Sequence, residues 1–171
     1  MIPNKTQTIN INGDISNDLI GNLFNVFGNI LPDTQKVVIN INSGGGAVPS
    51  AVTAYNMIKA LPYQVETHNM GEVSSAAILI YLAGKIRTTE PVFKFMFHPF
   101  MIGGQGPMSY ASVMEKLKIL ESDLKNYAAI VAKEIPAFCR DYDIDDVLKN
   151  QTVIVSDPDE AQRLGILAPA P

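Results

Sequence analysis

Three segments of the chain bring together the residue types that acyl transfer needs. Ser74 and Ser75 lie where a predicted strand gives way to a helix, His98 follows another strand, and glycines occupy 44–46 after a third. Serine becomes a good nucleophile only when a base takes its proton, and the intermediate needs N–H donors for its oxyanion. A helix start offers free N–H groups and the positive end of the helix dipole. These segments therefore predict a serine nucleophile with a histidine base.

Each of these features also has a purely structural interpretation. A serine at a helix start can cap the first turn, and His98 could be a structural residue beside the phenylalanines of the 93–100 segment. The glycines could form a tight turn without a ligand, and they lack the spacing of a phosphate-binding loop. His68 is the rival base. The spacing alone leaves these alternatives open.

The elements that must position these residues alternate between strand and helix. Pairs of β-branched residues and period-2 patterns indicate strands, whereas apolar faces at helical spacing indicate helices. The predicted strands are 6–11, 36–42, 64–69, 85–88, 92–97, 152–155 and 166–167, and the predicted helices 17–31, 49–61, 74–83, 109–133, 143–149 and one opening at Ser156. This order predicts an α/β domain with a largely parallel sheet, whose sites form at the carboxyl ends of strands.

Composition narrows the class of protein. The 171 residues are 47% hydrophobic and 18% charged, which fits one domain with a large core and some apolar surface for an oligomer interface. A net charge of −4 argues against a nucleic-acid partner. One cysteine, Cys139, excludes an internal disulfide and fits a reducing compartment. The apolar run 76–83 is too short to cross a membrane, and no leader pattern is evident, so we expect a cytoplasmic protein without a membrane partner.

Three motifs in order resemble the proteolytic subunit of Clp protease. They are Ile-Asn-Ser-Gly-Gly-Gly at 41–46, Gly-Glu-Val-Ser-Ser-Ala-Ala at 71–77 and Met-Phe-His-Pro at 96–99. The resemblance runs from about Thr8 to Leu167. It implies a ClpP/crotonase-like α/β fold of repeated strand-strand-helix units, with a protruding handle helix at about 109–133. It further implies a single domain over 1–171, whose tail at 168–171 we expect to be frayed, and a homo-oligomeric ring or double ring.

The resemblance also assigns roles to individual residues. Ser75 matches the nucleophile and His98 the general base. Gly46 and Ala76 match the residues whose N–H groups form the oxyanion hole, and Ser74 is read as a neighbour or cap. The implied activity is a serine-type endopeptidase acting on peptides or unfolded polypeptides, with no metal or organic cofactor.

The resemblance also implies a substrate groove and a third residue that orients the histidine and completes a catalytic triad. The glycine-rich loop places Gly103 and Gly104 beside the implied groove. The family usually has an aspartate as third member, and the best match is Asn150, with Asp145 and Asp146 as rivals. An asparagine can orient a histidine through its amide oxygen, but it does not give the imidazolium a full counter-charge.

Two further departures from the family pattern affect the expected function. Gly44 replaces a proline, which predicts a looser oxyanion loop. The first strand begins by about Thr6, so we expect little of the arm that docks an ATPase, and an ATPase partner is doubtful. The alternatives are a weak or inactive assembly subunit, a crotonase-type CoA-thioester enzyme, and a Ser-Lys peptidase with Lys85 or Lys94 as base.

Overall fold

A mostly parallel sheet forms the centre of the protein. The computed structural model describes residues 5–101, 103 and 106–168. Within them, the sheet has six strands: five follow the order β1-β2-β3-β5-β6, and the sixth, β4, pairs with β3. The strands are parallel except for the antiparallel pair of β5 and β6. Their bounds are β1 (Thr6–Asn12), β2 (Lys36–Ser43), β3 (Gln64–Ser74), β4 (Ile86–Thr89), β5 (Lys94–Phe97) and β6 (Val153–Val155). The α/β fold class predicted from the sequence is confirmed.

Helices connect the strands and cover one face of the sheet. Their bounds are α1 (Asn17–Gly28), α2 (Val48–Lys59), α3 (Ala77–Leu82), α4 (Tyr110–Glu134), α5 (Phe138–Asp141), α6 (Ile144–Val147) and α7 (Pro158–Arg163). The short helix α5 was not predicted. Every residue of α3 is buried, which explains why its sequence is apolar all round. None of the helices in the described ranges is long and apolar enough to cross a membrane.

The two faces of the sheet differ in polarity. In β2, the side chains of Val37, Ile39 and Ile41 are fully buried under the helices. On the other face, asparagines pair across the strands: the Asn40 amide donates to Asn10 at 3.0 Å, and β1 and β2 are linked again by a second asparagine pair. This alternation is the pattern of a sheet with one packed face and one polar face.

The strand β3 continues past the point where the sequence predicted a turn. The prediction ended this strand at Asn69 and began the helix at Ser74, but the strand reaches Ser74 and the helix starts at Ala77. Its first half pairs with β4 and its second half, from Glu72, pairs with β5. Gly71, at φ 155°, allows the chain to pass between the two halves. The prediction was wrong here because the pairing partner of 72–74 is distant in sequence.

The C-terminal segment also differs in detail from the prediction. Asp157, and not Ser156, caps α7, because its side chain accepts a 2.8 Å hydrogen bond from the Glu160 N–H. In place of a strand at 166–167, Ala168 forms one antiparallel bridge with Arg87. The predicted frayed tail otherwise lies outside the described residues. Since Arg87 is itself buried, this bridge ties the end of the domain to the sheet.

Candidate active site

Ser75 follows β3 directly and has an unusual backbone conformation. Its φ is +54°, and it is the only non-glycine residue with a positive φ among those that the structure describes. Its N–H donates to the Met96 carbonyl at 2.8 Å, and its carbonyl accepts from the Tyr127 hydroxyl at 3.1 Å. Such conformations cost free energy and persist where the surroundings hold them, most often at functional sites. The strand, the neighbouring β5 and α4 together fix Ser75.

The adjacent Ser74 has a different environment. Its side chain is fully buried, and its hydroxyl donates to the Glu72 carboxylate at 2.8 Å. The same carboxylate forms an ion pair of 2.9 Å with Lys94. The N-cap position of α3 is Ala76, whose methyl side chain makes no capping hydrogen bond. Ser74 is therefore not a helix cap, and Ser75 is the hydroxyl that faces the cleft described below.

The glycine-rich loop after β2 packs directly against Ser75. A Cβ built on Gly45 would lie 2.6 Å from the Ser75 Cβ, which is closer than two non-bonded carbon atoms approach. A Cβ on Gly46, whose φ is +148°, would lie 2.3 Å from the Ile15 carbonyl oxygen. The Ala47 N–H donates to that same oxygen at 2.8 Å. Glycine is required at both positions because the loop lies between Ser75 and Ile15.

Two backbone N–H groups near Ser75 remain available to a ligand. The Gly46 and Ala76 N–H groups donate to no acceptor among the described residues. The Ala76 nitrogen would lie 3.1 Å from a Cβ on Gly45, so the loop and the start of α3 are in close contact. Paired N–H donors next to a serine are the arrangement that stabilises an oxyanion.

Ser75, His98 and Gly46 line one cleft of about 520 Å³. The volume falls within the range of small-molecule and peptide side-chain sites, about 300–1,000 Å³. The structure thus brings together three of the segments that the sequence singled out. The remaining wall is mostly apolar and comprises Gly44, Ala47, Val48, Pro49, Phe100, Met101 and Leu120, together with one acid, Asp123.

His98 is held by a backbone carbonyl. Its Nδ1 lies 2.8 Å from the Pro99 carbonyl oxygen. Because a carbonyl can only accept, Nδ1 carries the proton in this contact and Nε2 has the free lone pair. Phe97, just before it, is buried and stacks on Phe138 at 4.3 Å. A neutral histidine with a free Nε2 can act as a general base.

The segment that contains Asn150 runs beside His98, but its side chain turns away. The Phe100 N–H donates to the Leu148 carbonyl at 3.0 Å, which joins the two segments. The Asn150 amide donates to the Asp146 carboxylate at 2.7 Å, and no bond to His98 is found within the described residues. Asp145 and Asp146 do not line the cleft. The two segments are thus joined through Phe100 and Leu148, and among the described residues the Asn150 side chain bonds to Asp146 and not to His98.

The rival bases either bond to other side chains or line another cleft. His68 contacts Thr88 at 2.8 Å through Nδ1 and Glu90 at 3.3 Å through Nε2. Lys94 is paired with Glu72, as described above, and Lys85 lines a separate cleft. None of the three lines the Ser75 cleft. Of these candidate bases, His98 is the one that shares a cleft with Ser75.

The predicted groove residues lie at the edge of the described structure. Gly103 lines a smaller cleft of about 200 Å³, which shares Met101, Leu120 and Asp123 with the Ser75 cleft. The Gly103 carbonyl accepts a 2.8 Å bond from the Lys116 ammonium. Gly104 lies outside the described residues. The two clefts are contiguous along α4.

Sequence reasoning missed two residues of α4 that contact this region. Tyr127 reaches the Ser75 carbonyl, and burial raises its pKa. Asp123 lies on the same face one turn earlier, half-buried in the cleft wall, and burial also raises its pKa. The available signal was an acid at helical spacing between Leu120 and Tyr127. Among the described residues, no cluster of three or more potential ligands could hold a metal ion.

Comparison with known proteins identifies the family. The family described as Clp protease matches residues 5–166. Proteolytic subunit 2 of ATP-dependent Clp protease from Borreliella burgdorferi is 30% identical over 139 residues, covering 76% of this chain and 67% of that protein. The corresponding subunit from Epifagus virginiana is 29% identical over 140 residues, covering 79% and 70%.

A solved structure supports the same relationship at the level of the fold. An Asn-to-Asp mutant of ClpP1 from Listeria monocytogenes aligns with a TM-score of 0.72 at 24% identity, covering 94% of this chain and 88% of that one. With a family match over nearly the whole chain, the resemblance seen in the three motifs is confirmed: the chain belongs to the Clp protease family.

Proposed function

We propose that the protein is a serine endopeptidase that hydrolyses peptides or unfolded polypeptides. The observation that carries the proposal is the strained Ser75, at φ +54°, in one cleft with His98 and the Gly46 loop. Membership of the Clp protease family supports a peptidase. The nucleophile, the base and the oxyanion donors are the parts that the reaction requires.

The proposed reaction proceeds in two halves. The His98 Nε2 takes the Ser75 hydroxyl proton as the Ser75 oxygen attacks the scissile carbonyl. The Gly46 and Ala76 N–H groups stabilise the oxyanion of the tetrahedral intermediate. His98 then gives the proton to the leaving amine, which departs and leaves an acyl ester on Ser75. Water, deprotonated by His98, hydrolyses that ester and restores the serine.

The orientation of His98 has two candidate sources. The Pro99 carbonyl already holds the Nδ1 proton and thereby selects the tautomer with a free Nε2. We retain Asn150 as the proposed third member, because its segment is joined to that of His98 through Phe100. To reach the histidine, its side chain would have to leave Asp146. An Asn150→Ala variant distinguishes the two. Its activity should fall if Asn150 orients His98, and should stay unchanged if the Pro99 carbonyl alone does so.

The proposed assembly is a homo-oligomeric ring or double ring. Apolar side chains are exposed on the first half of α4, as is usual for an interface and unusual for a free surface. They are Tyr110, Val113, Met114, Leu117 and Ile119. Native mass measurement tests this part, and a monomer at assay concentration would contradict it.

Hydrolysis of unfolded protein tests the proposed activity. Wild type should degrade an unfolded casein and short fluorogenic peptides, whereas Ser75→Ala and His98→Ala should not. The assay contains no ATPase, so it also tests the prediction that none is needed for these substrates. An inactive wild type in the assembled state would favour the alternative of an assembly subunit without catalytic activity.

A further inference from the structure

We propose that Asp123 makes the enzyme select lysine or arginine at P1, the residue whose carbonyl Ser75 attacks. The inference rests on the proposed function of Ser75 and adds the substrate class. It starts from the position of one acidic side chain in an otherwise apolar wall. Asp123 lines the cleft that holds Ser75 and His98, and also the adjoining cleft that holds Gly103.

The Asp123 carboxylate has no counter-charge within the described part of the chain. No ion pair and no hydrogen bond to its side chain is found there. The nearest lysine along the same helix face, Lys116, donates to the Gly103 carbonyl. A half-buried carboxylate without a partner is costly, and burial raises its pKa accordingly. A cation brought by a substrate would remove that cost.

The walls around Asp123 suit the stem of a long basic side chain. Val48, Phe100 and Leu120 line the same cleft and offer apolar surface. Lysine and arginine bury their methylene groups against such surface while the charged head reaches a polar partner. An acidic side chain would meet the Asp123 carboxylate at close range, and like charges oppose such a substrate. The cleft therefore combines attraction for one charge with repulsion of the other.

The position of the cleft next to Ser75 indicates that it receives the P1 side chain. Ser75 and Gly46 lie in the same cleft as Asp123, so a substrate carbonyl placed at Ser75 has its own side chain directed into this space. Gly45 packs on Ser75 and Gly46 on Ile15, whereas the longer side chains that line the cleft include those of Phe100, Leu120 and Asp123. The side chain nearest the attacked carbonyl is thus the one that reaches Asp123.

Kinetics with matched substrates tests the selection. Fluorogenic peptides that differ only at P1, as lysine, arginine, leucine or glutamate, are compared in wild type and Asp123→Asn. We expect wild-type kcat/KM for lysine and arginine to exceed that for leucine about tenfold, with glutamate lowest. Asp123→Asn should lose this advantage, so that kcat/KM for the lysine and arginine peptides falls about tenfold relative to that for the leucine peptide. Glu121→Gln, an exposed acid on the same helix, is the matched control and should keep the preference.

Two outcomes would overturn the inference. An equal fall for all four peptides in Asp123→Asn would mean that Asp123 acts on His98 and not on the substrate. Equal kcat/KM for the lysine and leucine peptides in wild type would show that the enzyme does not select basic residues at P1. Binding of the same uncleaved peptides to Ser75→Ala, with and without Asp123→Asn, gives the answer even if hydrolysis fails. A basic preference in binding without any hydrolysis would support the subsite and contradict only the proposed catalysis.

Discussion

The Ser75 N–H donates a 2.8 Å hydrogen bond to the Met96 carbonyl, two residues before His98. This bond belongs to the last pair of the β3–β5 ladder, Ser74 and Met96. The strand pair thereby fixes the candidate nucleophile against the strand that carries the candidate base. The relative position of the two is set by backbone bonds, which tolerate side-chain changes nearby.

The glycine loop should tolerate a methyl group at one position and not at another. Gly46→Ala places a Cβ 2.3 Å from the Ile15 carbonyl oxygen at φ +148°. We expect a loss of about 3 kcal/mol in the free energy of unfolding, from backbone strain and the displaced loop. At Gly44 no atom of the described residues lies within 4 Å of an added Cβ, so Gly44→Ala should be nearly neutral. Urea unfolding of both variants makes the comparison, and equal stabilities would contradict the loop geometry.

Tyr127→Phe should weaken the hold on Ser75 without unfolding the protein. The variant removes the hydroxyl that donates to the Ser75 carbonyl, which still accepts from the Ile78 N–H at 3.0 Å. We expect a loss of about 1 kcal/mol in stability and a severalfold fall in kcat. Tyr63→Phe is the control, because Tyr63 lines a different cleft and its hydroxyl makes no hydrogen bond within the described residues. Thermal unfolding and peptide kinetics measure both effects; a Tyr127 variant indistinguishable from the control would show that the bond is unimportant.

Arg87 should be a major contributor to stability although it is far from the cleft. Its guanidinium is buried and donates to three carbonyls, those of Gly84, Gly165 and Ile166, at 2.9–3.1 Å. Arg87→Met leaves these acceptors without a partner, and we expect a cost of about 3 kcal/mol. Arg140→Met, at an exposed position, should change stability little. Denaturant unfolding checks the difference, and similar midpoints for the two variants would refute it.

Glu72 should make a small, pH-dependent contribution. The bond from Lys94, and then that from Ser74, lowers the pKa of Glu72 below 4.5. The folded state therefore binds its proton less readily than the unfolded chain, and stability rises with pH through this range. The contribution is present above about pH 4.5 and is lost as the pH falls through the lowered pKa. Because Glu72 is partly exposed, we expect less than about 1 kcal/mol.

The pH effect is measured as the stability difference between wild type and Glu72→Gln at several pH values. This difference should shrink in acid and also in high salt, which screens the Lys94 pair. A difference that stays constant across the acid range would assign it to packing and not to charge.

The sequence identified the parts of the site that are local in the chain. The residue types and the period-2 strand patterns are enough to place the glycines at 44–46 and the histidine after strands. The alternation of strands and helices then predicts that both lie at the same edge of the sheet. The choice of Ser75 over Ser74 needed the resemblance. The end of β3 could not be predicted, because Glu72 to Ser74 become strand only through pairing with β5.

Contacts made by α4 were also beyond the sequence. The helix presents 25 residues, and its pattern does not tell which few of them reach the loop after β3. Asp123 and Tyr127 are identified only when the helix is packed on the sheet. The contact of the His98 ring with the Pro99 carbonyl depends on the side-chain rotamer of His98, which a residue pattern does not predict.

The most direct test of the account is covalent labelling of Ser75 by a fluorophosphonate, with the adduct mapped by mass spectrometry. The account predicts one adduct, on Ser75, in wild type and in Ser74→Ala, whose hydroxyl faces Glu72. It predicts none in Ser75→Ala and a strongly slowed reaction in His98→Ala. Failure of the wild type to label at Ser75, under conditions that label a control serine peptidase, would contradict it.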